Sequence, residues 1–353
     1  MKLTMSYPNN LIIYYFTGTG NARQVAKWII DEAIIKGINT SLVNIGNHEA
    51  ITDIKITGET LVGFCYPTHG FNAPPIVLKY LWNFPRSNYG NNFFVVNTRA
   101  GMKISKIFTP GISGLALLIP TIILKLKGFK LLGYRSIDLP SNWISIHPGL
   151  KNKVVHSIFH RCKHITDDFS KKILSGKKIL RGFWELPIDL AIIPISLGYY
   201  FYGRFALSKT FIATNDCDKC GTCVKNCPVK AITMKEYLPY WLYKCESCMR
   251  CMNNCPQRAI ETPHGFVTLV WWIAFSILPV LILKFISDNV NANHFTKDII
   301  YYPLFIIFSF VLIFGSYCII HLLMKFHPLN KIIKYTSLTS YKFWRRYKAP
   351  KNF

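Results

Sequence analysis

Residues 11–21 read LIIYYFTGTGN. Positions 11–16 are apolar without interruption and rich in β-branched and aromatic side chains, the pattern of a strand buried on both faces. They run directly into Thr17-Gly18-Thr19-Gly20-Asn21, and Val25, Ile29, Ile30 and Ala33 follow at helical spacing. Strand, glycine-rich turn and helix form a βα unit whose helix start offers unpaired N–H groups to an anion. Further strands are expected at 40–45, 61–66, 92–97 and 129–138, and helices near 74–83, 104–127 and 151–175. Strands alternating with helices predict an α/β fold, a doubly wound parallel sheet covered on both faces. This first domain is expected over 8–176.

Two more stretches belong with the first turn. Tyr66-Pro67-Thr68-His69-Gly70 follows the third expected strand, and Asn97-Thr98-Arg99-Ala100-Gly101 the fourth. Ligands of doubly wound sheets bind beyond the carboxyl ends of the strands, at the switch point. At these residues the chain resembles a flavodoxin. The first turn is similar to the flavodoxin phosphate loop, the other two to the loops flanking the isoalloxazine ring. The resemblance implies FMN, held by Thr17, Gly18, Thr19, Gly20, Asn21, Pro67, Thr68, His69, Gly70, Asn97, Thr98, Arg99 and Gly101. Ala22 departs from the pattern where many flavodoxins place a last hydroxyl, which leaves Asn21 as a partial substitute. Neither ring loop holds a tryptophan, which leaves Tyr66, His69 or Phe71 to cover the ring. The alternative is a flavodoxin fold that binds no flavin.

A second signal lies downstream. Cys217, Cys220, Cys223 and Cys227 precede Pro228, and Cys245, Cys248, Cys251 and Cys255 precede Pro256, the same spacing 28 residues later. Ala231 and Ile232 recur as Ala259 and Ile260. Each run is C-x2-C-x2-C-x3-C-P, the bacterial ferredoxin pattern for a 4Fe–4S cluster. Three close cysteines cover three corners of a cubane, and the cysteine before proline ligates the other cluster. Cluster one is therefore assigned Cys217, Cys220, Cys223 and Cys255, and cluster two Cys245, Cys248, Cys251 and Cys227. Zinc sites use pairs of cysteines rather than two identical runs of four. A disulfide scaffold would be short and secreted.

Together the halves resemble the flavodoxin–ferredoxin fusion family, an N-terminal flavodoxin-like domain followed by a two-cluster ferredoxin domain. The resemblance covers about 10–262. Residues 139–148 (LPSNWISIHP) are also similar to that family.

The remaining chain is apolar and basic. Hydrophobic residues make up 50% and the formal charge is +25, which points to a polyanionic partner or an anionic membrane. Stretches at 266–286 and 299–324 are long enough to cross a bilayer. Lys284 sits near the end of the first, where it can snorkel. Their outer flanks are richer in Lys and Arg than the link at 287–298, so both ends are expected in the cytoplasm. The other reading is a pair of buried core helices. Cluster thiolates also require a reducing compartment, and the N-terminus lacks a signal-peptide pattern. The expected organisation is 8–176, a connector at 177–208, a small α+β cluster domain at 209–263, a hairpin at 266–324 and a basic tail at 325–353. The tail, with Trp344, Arg345 and Arg346, is expected on anionic lipid rather than nucleic acid. Residues 112–124 are expected as a core or interfacial helix, and 186–202 as an interfacial segment.

Other residues are weighed and given structural readings. His156, His160 and His164 share a helix face, with a metal site including Asp167 or Asp168 as the sharper alternative. His321 has no facing histidine for a haem. Cys65, Cys162 and Cys318 read as packing. Tyr237, Tyr240, Trp241 and Tyr243 either shield the clusters or simply pack. No acid–base or nucleophilic group stands out. The expected function is a membrane-anchored carrier, on the cytoplasmic face, relaying electrons between FMN and two 4Fe–4S clusters and a partner redox protein. The alternatives are a reductase acting on a small molecule such as a quinone, and a tethered docking module with a dead flavin site.

Overall fold

The computed structural model describes residues 8–46, 56–180, 185–236, 238–289 and 293–350; Tyr237 lies outside them. The chain divides into two compact units. One comprises Met1–Gly203, Cys248–Asn253 and Arg345–Phe353, the other Arg204–Ser247 and Asn254–Trp344.

The first unit is built from β1 (Asn10–Tyr15), α1 (Asn21–Ile35), β2 (Asn39–Asn44), β3 (Thr60–Pro67), α2 (Pro75–Asn83), β4 (Asn92–Ile104), β5 (Ile107–Thr109), α3 (Leu115–Leu126), β6 (Lys130–Pro140), α4 (Asn152–Leu174) and β7 (Ile179–Leu180). The sheet order is β2-β1-β3-β4-β6-β7, with β5 antiparallel on β4. Leaving β5 aside, the first five strands run 2-1-3-4-5 in chain order, the flavodoxin-like arrangement. Side chains alternate across β1. Ile12, Tyr14 and Phe16 join the core that holds Val77 and Leu81 of α2 and Leu117 and Leu124 of α3. On the opposite face, Trp28 of α1 meets Phe159 of α4 at 6.0 Å, and Phe94 of β4 meets Phe169 of α4 at 6.0 Å.

Two expectations are corrected here. The third ring loop is not a loop, because β4 continues to Ile104 and pairs Thr98 with Ile137, Arg99 with Asp138, Ala100 with Leu139 and Gly101 with Pro140. The extension is stabilised by the Arg99–Asp138 ion pair at 2.6 Å, and a Cβ at Gly101 would collide with the Asp138 backbone. The expected 104–127 helix is correspondingly short: β5 and a turn occupy its first part, and α3 begins at Leu115.

The connector folds as short helices, α5 (Leu186–Ala191), α6 (Ile193–Gly198) and a π-helical turn at Tyr199–Gly203. Prolines at 187 and 194 interrupt it. Within the first unit it docks on the sheet domain through polar contacts. The Gly114 N–H donates to Asp189 at 2.6 Å, and Ser196 Oγ donates to the Phe71 carbonyl at 3.0 Å.

The second unit contains α7 (Arg204–Ser208), β8 (Ile212–Ala213), α8 (Thr222–Lys225), β9 (Ile232–Lys235), β10 (Leu238–Trp241), β11 (Ile260–Glu261), α10 (His264–Trp272), α11 (Leu278–Asn289), α12 (His294–Leu323) and α13 (His327–Tyr335), whereas α9 (Arg250–Asn254) belongs, apart from Asn254, to the first unit. β8 pairs antiparallel with β11, and β9 with β10. Helical stretches at His264–Asn289 and Ile299–Leu323 have mean hydropathy 2.4 each and are long and apolar enough to cross a membrane. Trp271, Trp272, Phe275 and Phe285 on the first and Ile307 and Val311 on the second are exposed, which is not the burial of a core hairpin. The basic tail is folded. Lys325 pairs with Glu236 at 2.7 Å, Lys334 pairs with Asp216 at 2.5 Å, and Trp344 is buried.

Candidate functional sites

A cavity of about 250 Å³ opens at the carboxyl ends of β1, β3 and β4 in the first unit. Thr17, Gly18, Thr19 and Asn21 line it from the first loop, and Pro67, Thr68 and Gly70 from the second. Thr98 and Arg99 line it from the extended part of β4. Four expected residues act beside the cavity instead. Gly20 takes φ 112° at the start of α1, and its N–H donates to Thr17 Oγ1 at 3.0 Å. Asn97 is fully buried and donates to Thr68 Oγ1 at 2.7 Å and Ser113 Oγ at 3.1 Å. Gly101 lies in the β4–β6 pairing. His69 is 2% exposed, and neither ring nitrogen has a hydrogen-bond partner. Burial lowers its pKa to about 4, which keeps it neutral near pH 7.

Of the aromatic residues expected over the ring, one lies at the cavity. Phe71 lines the cavity, but Tyr66 is buried in the core and donates to the Ala116 carbonyl at 2.8 Å. Trp143 supplies the large aromatic wall, with its ring 5.4 Å from Tyr199 and 6.4 Å from His69. Tyr199 lies against Gly70, where a Cβ would collide with its ring. Trp143 stood in the 139–148 stretch without an assigned role. Tyr199 carried no local signal, since only docking of the connector brings it to the second loop.

The first loop is enclosed by distant segments of the same unit. Arg250 donates to the Thr17 carbonyl at 2.6 Å and to the Gly18 carbonyl at 3.1 Å. Asn142 Nδ2 donates to the Cys248 carbonyl at 3.3 Å. A Cβ on Gly18 would collide with that carbonyl. The Ala349 N–H donates to the Thr19 carbonyl at 3.0 Å, and a Cβ on Gly20 would come 2.8 Å from Ala349 Cβ. Asn21 donates to the Pro140 carbonyl at 2.9 Å and accepts from Tyr347 Oη at 2.5 Å. Asn21 is thus committed to protein partners and is not a replacement for the missing hydroxyl. The carbonyls of the loop are held from behind. The cavity is lined by two threonines of the loop, and the loop opens the 15-residue helix α1. That donor set fits a phosphate, and the slot between the second loop and Trp143 fits a flat ring.

Arg99 anchors the cavity floor. Its side chain is 4% exposed and pairs with Asp138 at 2.6 Å and Glu185 at 2.5 Å. Burial alone would depress the guanidinium pKa, but the hydrogen bonds to Glu185 and Asp138 raise it.

In the second unit, Cys217, Cys220, Cys223 and Cys255 line one small cavity with Pro239, Pro256 and Ile260. This is the set assigned to cluster one. Burial pushes the Cys223 thiol up to about 11, with Cys217 and Cys255 adding to it against a backbone hydrogen bond from Val224. Four cysteine sulfurs lining one small cavity are a thiolate donor set that suits iron. The backbone repeats along with the sequence. Left-handed residues occur at Lys219 and Ser247, at Gly221 and Met249, and at Lys230 and Arg258, each pair 28 positions apart. The Ala231 N–H donates to Cys227 Sγ at 3.2 Å, and the Ala259 N–H donates to Cys255 Sγ at 3.3 Å. Of the set assigned to cluster two, Cys248 and Cys251 belong to the first unit, and Cys227 and Cys245 to the second. Among the described residues no group of His, Cys, Asp and Glu is tight enough for a single metal ion. A cubane holds its thiolates farther apart than one ion does.

The linker aromatics pack on α12. Tyr240 lies 5.0 Å from Tyr317, and Tyr243 lies 4.8 Å from Phe314. Lys209 sits among these rings, 4.4 Å from Tyr317 and 4.8 Å from Tyr243, and donates to the Trp241 carbonyl at 2.6 Å. Burial lowers its pKa to about 8. On α4, Asp167 and Asp168 pair with Lys163 and Lys172 at 2.8 and 3.0 Å, and His160 meets His164 edge-to-face at 4.6 Å.

Residues 216–260 match the 4Fe-4S dicluster domain family. No curated protein sequence matches the chain. Among solved structures, an archaeal flavodoxin is 12% identical, with TM-score 0.29, over 46% of this chain and 98% of that one. Oxidised flavodoxin 1 from Bacillus cereus is 14% identical, with TM-score 0.28, over 46% of this chain and 97% of that one. General stress protein 14 from Treponema denticola, solved in complex with FMN, is 11% identical, with TM-score 0.29, over 46% and 98%. The flavodoxin-like fold rests on the strand order itself. The chain therefore joins a flavodoxin-like domain to a 4Fe–4S domain and carries two long apolar helices after them.

Proposed function

We propose that this chain is a membrane-anchored electron-transfer protein that relays electrons between FMN and two 4Fe–4S clusters and a partner redox protein. A bound flavin supplies exchange between two-electron and one-electron donors, and the clusters carry electrons singly. Cluster one is assigned to Cys217, Cys220, Cys223 and Cys255, and cluster two to Cys245, Cys248, Cys251 and Cys227.

One observation carries the reading. The segment Cys248–Asn253, with two cluster-two ligands, packs inside the flavodoxin-like unit, and its Arg250 holds the first loop through the Thr17 and Gly18 carbonyls. A cluster motif built into the wall of a flavin-type domain suits transfer between the two cofactors. The protein's own part is to hold the ring slot with Trp143 and Phe71, to order the phosphate loop with Arg250, and to direct N–H groups at Cys227 and Cys255. Hydrogen bonds to cluster sulfurs raise reduction potentials. The two apolar helices are assigned as a hairpin in the cytoplasmic membrane, with the redox domains on the cytoplasmic side. The folded basic tail is assigned to the anionic inner surface.

The test is anaerobic purification in detergent followed by flavin, iron and sulfide analysis of one sample. The relay expects about one FMN and about eight iron and eight sulfide per chain. Eight iron without flavin, even after FMN is added, would overturn it in favour of a tethered ferredoxin.

A further inference from the structure

The second unit contains a cavity of about 600 Å³ that the relay does not use. We infer that it is a binding site for a membrane quinone, a flat ring with two carbonyl oxygens that this protein reduces to the quinol. The inference rests on the relay for its electrons, but not for the binding itself.

Position comes first. Cys318, His321 and Leu322 line the cavity from the last turns of the second apolar stretch, Ile299–Leu323. The cavity therefore lies at the end of a candidate span, where a lipid-soluble ring with an apolar tail arrives. Cys217, a ligand assigned to cluster one, lines the same cavity. The cavity thus reaches a residue assigned as a cluster ligand.

The lining chemistry matches a ring with polar ends. Leu238, Leu322 and Met324 give apolar walls, and Tyr240 gives an aromatic one. His321 packs against Tyr240 at 5.0 Å and Tyr317 at 4.4 Å. Its Nε2 is buried and has no hydrogen-bond partner. A buried polar atom left unpaired is costly, so a ligand that satisfies it gains that energy. Nε2 suits both states of a quinone: as N–H it donates to a carbonyl, and as a lone pair it accepts from a quinol hydroxyl. Lys235 and Lys325 are exposed and line the same cavity; Lys325 is paired with Glu236, and the Lys235 ammonium is a donor suited to a quinone carbonyl oxygen. The volume falls within the ~300–1,000 Å³ of ordinary ligand pockets.

The reaction balances. One quinone takes two electrons and two protons, both C=O bonds become C–O–H, and the ring becomes aromatic. Two molecules of a reduced one-electron carrier protein supply the electrons singly and are oxidised. Water at the lysine-lined mouth supplies the protons.

The test uses the full chain in detergent micelles and a photoreactive azidoquinone with a short isoprenoid tail. After illumination, labelled peptides are mapped by mass spectrometry. The expected label falls on 238–240 and 318–324, is displaced by unlabelled quinone, and weakens about tenfold in affinity in His321→Leu. Leu322→Trp, at an exposed position, fills the cavity without touching the core and should also abolish labelling. Label spread evenly along both apolar helices, or label unchanged in both variants, overturns the site. The two readings fail separately. Specific labelling in protein that lacks flavin leaves the site standing and removes the flavin relay. Full flavin and iron content without displaceable labelling removes the site and leaves the relay.

Discussion

Replacing Arg250 with alanine removes two charge-assisted hydrogen bonds, at 2.6 Å to the Thr17 carbonyl and 3.1 Å to the Gly18 carbonyl. Such bonds contribute about 1.5–3 kcal/mol each when buried. Arg250 is only half-buried, and solvent screening reduces the pair to about 2 kcal/mol in total. The loss falls on the loop proposed to hold the FMN phosphate. Without the guanidinium, two adjacent carbonyls lose their donors, the loop loses its preset shape, and a cation beside the phosphate disappears. FMN affinity should drop roughly 30-fold, the equivalent of about 2 kcal/mol. The assay is anaerobic titration of flavin-depleted protein with FMN, followed by flavin fluorescence, with iron measured on each sample. Arg250→Lys keeps the charge but loses the two-pronged geometry, so its affinity should fall between the two. If R250A binds FMN within about twofold of the parent with full iron content, Arg250 does not order the loop and the link drawn between the cluster segment and the flavin site fails.

Arg99→Met leaves Asp138 and Glu185 without the cation that both face at 2.5–2.6 Å; both carboxylates keep some solvent, so it should cost about 2 kcal/mol, read as a lower denaturation midpoint, and Asp138→Asn/Glu185→Gln in the same background should recover part of it. His69 should make the first unit acid-sensitive: its folded pKa of about 4 lies below the unfolded value, so stability is complete above about pH 6.5 and is lost as pH falls toward 4, by up to about 3 kcal/mol. Denaturant melts at pH 7 and pH 4.5 should show that loss in the parent and a smaller one in His69→Phe; equal losses would rule His69 out as the cause. Cys255→Ser should remove the same cluster as Cys217→Ser, each leaving about four iron with matching spectra of the reduced state; different residual spectra would refute the crossed ligand sets.

Some features were legible because their cause is local. A strand buried on both faces must be apolar throughout, so 11–16 announced β1, and the alternation of strands and helices announced the parallel sheet. The cysteine repeat was equally plain, since a cubane dictates ligand spacing through chain geometry. Its backbone followed: the left-handed residues and the N–H to Sγ bonds recur at the same interval. The extension of β4 was harder to read. Nothing in Thr98-Arg99-Ala100-Gly101 alone favours a strand, because its partner is the equally extended end of β6, and the Arg99–Asp138 pair that stabilises it joins residues 39 apart.

By itself, the sequence determined the fold class, the 4Fe–4S domain with its repeated cysteine spacing and the two apolar stretches, because these follow from periodicity, spacing and hydropathy along a short length of chain. Tertiary structure alone decided what surrounds each site. It placed Trp143 rather than Tyr66 on the cavity wall, brought Tyr199 against Gly70, committed Asn21 to Tyr347 and Pro140, and set Arg250 behind the first loop. It also left His321 Nε2 unpaired in a cavity beside Cys217. Each of these depends on segments far apart in the chain meeting at close range. Such meetings are set by packing and by the pairing of buried polar groups, and no local pattern encodes them.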